Sequence, residues 1–214
     1  MKYCVLLFFF IFSLPAVGRD IDTEKLLLKS EKAFRSAGAM SAYFTINIRE
    51  SGDGNTQSFD GTILIKGNKF RIDAPDYDIW FDGRTQWVYN ESTNEVNISE
   101  PDAKDVQTMN PLMIYKIYRK GCDLKYAGEK IDHRMRKIIE ITLIPKDVGG
   151  DIREVVLQIN SEDFLPVYFR IHFRNNDFDN EIFVNRYDVN QDFSDLLFAF
   201  DISGHPDIEV IDLR

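Results

Sequence analysis

The chain has 214 residues, 44% of them apolar and 29% charged, which is the composition of a folded globular protein and excludes a mostly disordered one. Asp and Glu outnumber Lys and Arg by 35 to 26, a formal charge of −9, which argues against a broad basic face and a nucleic-acid partner. With 17 Phe, 9 Tyr, only 12 Gly and 7 Pro, the balance favours sheet.

The first eighteen residues read as an address. Met1-Lys2 places positive charge before the unbroken apolar run from Val5 to Phe12, and Ser13-Leu14-Pro15 lead into Ala16-Val17-Gly18, a small-x-small sequence. This is the pattern of a secretory signal, with cleavage expected after about Gly18. The alternative, an uncleaved membrane anchor, needs about 20 spanning residues, more than this run supplies. Cys4 leaves with the signal, so the exported chain keeps Cys122 alone and has no internal disulfide. That usage suits a bacterial envelope better than an animal extracellular space. Cys4 also precedes the apolar run, whereas a bacterial lipoprotein carries its modified Cys just after it. A soluble periplasmic protein is expected.

Asp22-Thr23-Glu24 is a helix start, followed by a helical apolar stripe through Leu26, Leu27, Ala33, Phe34 and Ala37, with Gly38 as the stop. This predicts an amphipathic helix over 23–37. The period then changes to two at Phe44, Ile46 and Ile48. Short strands are expected at 57–66, 69–74, 77–82, 85–90 and 94–100, separated by turn sequences. Among these, Asp82-Gly83 has the residue choice of a tight hairpin. From Asp102 to Lys120 the pattern is helical, interrupted at Asn110-Pro111. Leu112, Met113, Tyr115, Ile117 and Tyr118 crowd one broad side. Strands resume at 122–129, 136–145, 151–160, 165–174 and 180–189, and a tail follows from Asp195 to Arg214. No linker divides the chain after the signal, so residues 19–214 are read as one domain. About eleven strands are too many to lie flat, and the sheet should curl into a barrel or part-barrel.

Chemistry-bearing constellations do not stand out. His133 sits in a polar turn, His172 alternates with Ile171 and Phe173 and is expected to face solvent, and His205 precedes Pro206 in the tail. None has a neighbour at metal-ligand spacing. Gly-x-Ser-x-Gly is absent, Gly52-Asp53-Gly54 opens no helix, Cys122 has no base beside it, and no carboxylate pair is marked out. No catalytic residue, metal or cofactor is assigned, and the protein is read as a non-enzyme, a secreted hydrolase being the distant alternative. What is unusual is the apolar supply. The strands offer Phe44/Ile46/Ile48, Ile63/Ile65, Phe70/Ile72, Ile79/Phe81, Trp87/Tyr89, Ile139/Ile141/Leu143, Val155/Leu157/Ile159 and Val167/Phe169/Ile171/Phe173. Composition alone allows either a core plugged by helices or a cavity for an apolar ligand with the helices as its cover.

Four stretches decide between them by resemblance. They are the helix entering Ala42-Tyr43-Phe44-Thr45-Ile46; the hairpin Phe59-Asp60-Gly61-Thr62-Ile63-Leu64-Ile65-Lys66-Gly67-Asn68-Lys69-Phe70-Arg71-Ile72; the hairpin Trp80-Phe81-Asp82-Gly83-Arg84-Thr85-Gln86-Trp87-Val88-Tyr89-Asn90; and Phe198-Ala199-Phe200 followed by Pro206-Asp207-Ile208-Glu209-Val210-Ile211-Asp212. In this order they resemble the periplasmic outer-membrane lipoprotein carriers of the LolA type. The resemblance implies an incomplete, half-open antiparallel barrel under a helical lid. It implies a cavity that holds lipoprotein acyl chains, an inner-membrane releasing transporter as donor and an outer-membrane acceptor. The chain is expected to act as a monomer. A related barrel that binds another envelope lipid or senses envelope stress is the alternative. The expected apolar lining is Phe44, Ile46, Ile48, Ile63, Ile65, Phe70, Ile79, Phe81, Trp87, Tyr89, Ile139, Ile141, Leu157 and Phe169, with Leu112, Met113, Tyr115 and Ile117 on the lid. Trp87 is expected near the rim. Many members of the family carry Lys-Arg-Pro where this chain has Lys66-Gly67-Asn68, so the arginine that tethers their lid is Gly67 here.

Overall fold

In the computed structural model of the chain, the described residues are 22–50, 56–101, 113–147, 149–174 and 178–214. The expected signal and its cleavage site, the turn at 51–55 and the first part of the helical run, 102–112, lie outside them. The N-terminal stripe forms helix α1, Thr23–Ser36, capped by Asp22, whose Oδ1 accepts the Lys25 amide at 3.1 Å. Its buried residues Leu27, Ser30, Glu31 and Phe34 recur at three- and four-residue steps, so one stripe faces inward. Gly38, with φ of +69°, turns the chain out of the helix into a strand.

Six strands follow: β1 Ala39–Glu50, β2 Thr56–Lys66, β3 Lys69–Asp73, β4 Tyr77–Phe81, β5 Gln86–Asn90 and β6 Glu95–Ser99. Helix α2, Met113–Arg119, precedes β7 Cys122–Ile131, β8 Lys137–Pro145, β9 Ile152–Asn160, β10 Pro166–Phe173 and β11 Phe178–Gln191. The tail adds two short 3₁₀ turns, Asp195–Phe198 and Ile202–Gly204, and then β12, Glu209–Asp212. All twelve strands form one curled sheet in the order β12-β6-β5-β4-β3-β2-β1-β11-β10-β9-β8-β7. The sheet does not close: β12 and β7 are its edges. Two antiparallel meanders, β1–β6 and β7–β11, are joined where β1 lies beside β11 from Ala39↔Gln191 to Glu50↔Phe178.

The expected helix–strand order holds, with one addition. The tail contributes a twelfth strand, parallel to β6 from Glu209↔Glu95 to Asp212↔Ile98. Four residues are too few for periodicity to announce a strand, and a parallel partner needs the long crossover that the tail supplies. The β4–β5 turn also differs from a two-residue hairpin. It spans Asp82 to Thr85, closed by Asp82 N–H to Thr85 O at 3.2 Å. Asp82 Oδ1 accepts from the amides of Arg84 and Thr85, and Gly83 takes φ of +104°.

Two local features hold the curl and the tail. Opposite Phe44, β2 carries Gly61, and a Cβ there would lie 2.5 Å from Phe44 Cζ and 3.0 Å from the Asp73 carbonyl oxygen. The Phe44 ring therefore covers the backbone that a side chain would otherwise occupy. The tail is pinned to the β2–β3 hairpin: Lys66 and Lys69 each donate to Asp195 at 2.7 Å, and Lys66 also donates to the Phe193 carbonyl at 2.7 Å. The two lysines hold the Asp195 carboxyl down at about 2.

Gly61→Ala should destabilise the fold by about 1–3 kcal/mol, since the Phe44 ring must leave its place. That predicts a melting temperature lower by about 2–4 °C per kcal/mol for a domain of this size. A Gly61→Ala protein that melts with the parent would show that the ring does not need that space. Asp195→Asn should speed amide exchange at residues 196–200 while leaving the β9 amides protected. Unchanged exchange in the tail would show that the lysine clamp does not hold it.

Candidate functional site

The strands present their apolar residues to the concave side, and both helices lie on it. One continuous buried cluster joins Met40, Ala42 and Phe44 of β1, Ile63 and Ile65 of β2, Phe70 of β3, and Ile79 and Phe81 of β4. It continues through Ile139, Ile141 and Leu143 of β8, Val155, Leu157 and Ile159 of β9, Phe169 and Ile171 of β10, and Val184 of β11. From the helices come Leu27, Phe34, Ile114, Tyr115 and Ile117. The cross-strand register explains why these residues share a face: Ile65↔Phe70, Phe70↔Phe81 and Ile79↔Val88 follow one another across the sheet, as do Ile141↔Leu157 and Leu157↔Phe169.

Of the residues expected to line the apolar site, Phe44, Ile63, Ile65, Phe70, Ile79, Phe81, Tyr115, Ile117, Ile139, Ile141, Leu157 and Phe169 are brought together in this cluster, and Ile46 packs against it half-buried. Ile48 is half-buried near the end of β1, apart from these contacts. Leu112 lies outside the described residues, and the Met113 side chain is not described.

Trp87 and Tyr89 are placed elsewhere. Trp87 pairs with Trp80 and Ile98, and Tyr89 with Asp78 and Val96, so both stand on the convex side. There they pack on a second cluster of Trp80, Val96 and Phe200, under the tail. Their neighbour Val88 is the β5 residue that reaches the concave cluster. The β5 sequence is apolar on both faces, and the four-residue turn before it sets which face looks inward. Ile114, 1% exposed, also belongs to the concave cluster and was not among the expected lid residues. Its three- and four-residue spacing to Ile117 and Tyr118 is the signal that places it there. His172 is not simply solvated: Nδ1 lies 2.5 Å from Asp179 and Nε2 3.9 Å from Glu154, with only 14% of the side chain exposed.

The cover is fastened to itself by polar contacts between α1 and α2. Ser30 Oγ and Tyr115 OH share a buried hydrogen bond of 2.7 Å. Burial holds the Tyr115 phenol far above its ordinary range. Glu31, buried on α1, accepts from Arg119 of α2 at 2.7 Å and from Arg35 at 2.8 Å. Tyr118 OH donates to Glu24, and this bond pushes the phenol up to about 12. Phe34 and Tyr115 lie with ring centroids 6.3 Å apart. Cys122, at the foot of α2, is held as a neutral thiol by burial and by Asp123, so it is a poor nucleophile. Among the described residues no group of three or more His, Cys, Asp or Glu could hold a metal, and no helix is long and apolar enough to cross a membrane.

Comparison with known structures places the fold. An uncharacterized conserved protein of Thermus thermophilus is similar at 14% identity with a TM-score of 0.58, covering 88% of this chain and 98% of its own. The lipoprotein LppX of Mycobacterium tuberculosis is similar at 11% identity with a TM-score of 0.51, covering 82% and 98%. A LolA superfamily protein of Nitrosomonas europaea, at 12% identity and a TM-score of 0.45, covers 84% and 98%. No curated protein sequence matches the chain. The family model described as outer membrane lipoprotein carrier protein LolA matches residues 17–175, which runs from before α1 to the end of β10. Over that span the open sheet, its apolar concave face and its helical cover coincide with the match, and the chain belongs to the LolA family.

Proposed function

We propose that this protein is a non-enzymatic periplasmic carrier that moves acyl chains, those of a lipoprotein or of another envelope lipid, from the inner to the outer membrane. The observation that carries the reading is the concave face: a broad apolar surface of an unclosed sheet, covered by two helices instead of by a second sheet. Each buried CH₂ is worth about 0.8 kcal/mol, so a chain of about 15 carries roughly 12 kcal/mol and does not cross water unshielded. Release requires that the carrier hold cargo no better than a bilayer does. Walls of Ile, Leu, Val and Phe meet that need, because their attraction is non-directional.

Uptake begins with α2. The seven described residues of α2 are held by what they pack against, Ile114, Tyr115 and Ile117 being buried in the concave cluster. When α2 leaves, Ile114, Tyr115 and Ile117 vacate the concave face and acyl methylenes take their place, apolar surface for apolar surface. The cost of opening lies mainly in the polar fastening to α1. These contacts take the part that the arginine at the Gly67 position plays in many relatives. Donor and acceptor follow from the same reading: an inner-membrane transporter that releases lipoproteins and an outer-membrane acceptor.

A dansyl-labelled undecanoic acid should bind saturably, with a blue-shifted emission, and a palmitoylated lipopeptide should displace it. Tyr115→Phe leaves the Ser30 hydroxyl unpaired, which costs the closed form about 1–3 kcal/mol. Where the closed form dominates, the variant should bind the probe about 5-fold or more tighter. Absence of saturable binding in both proteins would refute carriage. Turnover of ester substrates with no retained acyl species would favour a hydrolase.

A further inference from the structure

The convex face carries a feature that lipid carriage does not use. Across it the ladder aligns Arg186, Tyr43, Thr62, Asp73, Asp78 and Tyr89 as successive partners on six neighbouring strands. In the middle of this row two carboxylates, Asp73 and Asp78, stand directly opposite each other. Like charges in that position destabilise a sheet. Asp73 has a counter-ion in Arg71, 2.7 Å away, whose guanidinium also lies 5.1 Å over the Trp80 ring. Among the described residues no ammonium or guanidinium lies within ion-pair distance of Asp78. Burial, and then Asp73, hold its carboxyl above the ordinary range.

Asp78 stands where two clefts meet. One, of about 360 Å³, lies between the convex face and the tail, with Trp80, Tyr89, Phe200 and His205 on its walls, the Arg71 guanidinium already paired with Asp73, and Asp201 as a further carboxylate. Leu196, 83% exposed, stands at its rim. The other, of about 490 Å³, runs over Tyr43, Asp60, Thr62, Asp73 and Asn185. Because Asp78 lines both, they form one groove with an apolar end and an acidic end.

We propose that this groove binds a peptide segment of a partner protein in which a lysine or arginine sits beside a large apolar side chain. The cation would lie between Asp78 and Asp73 with Asp60 near it, and the apolar side chain would enter the cleft of Trp80, Tyr89 and Phe200. Charge complementarity chooses this occupant. A nucleic acid, an anionic lipid headgroup or a second copy of this acidic chain would meet the carboxylates with like charge. Apart from Phe44 and Gly61, through which the second cleft reaches the edge of the concave cluster, the groove lies on the opposite side of the sheet, and peptide and lipid binding are read with separate probes.

Titration calorimetry at low salt with acetyl-Lys-Phe-Lys-Leu-amide and its charge-reversed counterpart acetyl-Glu-Phe-Glu-Leu-amide tests this. The cationic peptide should bind about tenfold or more tighter than the acidic one. Asp78→Asn, which relieves the like-charge pair and should fold at least as well as the parent, should abolish most of that preference. Phe200→Ala should weaken the cationic peptide as well, whereas Glu154→Gln, outside the groove, should not. No binding, equal binding of the two peptides, an undiminished preference in Asp78→Asn, or tighter binding of chitotetraose than of the cationic peptide would overturn the proposal.

Discussion

An unclosed apolar sheet cannot face water, and most of this molecule follows from that constraint. Closing a barrel removes both edges and hides the lining at once. Here the order runs from β12 to β7 without joining, so something other than sheet must cover the concave side. The chain arranges this through its connectivity. β6 lies next to one edge and β7 forms the other, and α2 stands between these two strands in the chain. The helix before β1 supplies the other half of the cover. Leu27 and Phe34 from one helix and Ile114, Tyr115 and Ile117 from the other complete the burial that the strands alone would leave unfinished.

The division of labour between apolar and polar contacts matters for function. The concave walls are plain hydrocarbon and aromatic ring, whereas the buried polar contacts of the cover lie between α1 and α2. Removing a helix from the walls therefore strands few polar groups on the sheet. Separating the helices breaks the buried Ser30–Tyr115 bond, whose loss leaves a buried hydroxyl unpaired at a cost, and takes one of its two arginines, Arg119, from the Glu31 carboxylate, which keeps Arg35 of its own helix. The helical cover is thus held mainly at one seam, over a surface that is apolar throughout its buried cluster.

Much of this was legible in the sequence because period-two alternation and turn residues mark an antiparallel meander well. Ile139/Ile141/Leu143 and Val155/Leu157/Ile159 could be assigned to one face from their spacing alone, since their alternate neighbours are mostly polar. β5 could not be read that way. Trp87, Val88 and Tyr89 are all apolar, and only the four-residue turn at Asp82 to Thr85, with the register Trp80↔Trp87, sends the two large rings outward. The resemblance to lipoprotein carriers identified the lid helix but not its fastening. Ser30, Glu31 and Arg119 are ordinary helix-surface residue types, and nothing in one sequence says that Ser30 and Tyr115, 85 positions apart, meet. The same holds for Asp73 and Asp78, whose opposition is visible only once β3 and β4 are set in register.

Hydrogen–deuterium exchange of the protein with and without a palmitoylated lipopeptide addresses the exchange of helix for acyl chain. If cargo replaces the cover, the amides of residues 114–119 should lose protection on binding while those of β8, β9 and β10 keep theirs. Bound lipopeptide with α2 as protected as before would place the cargo somewhere other than the concave face and contradict the carrier mechanism.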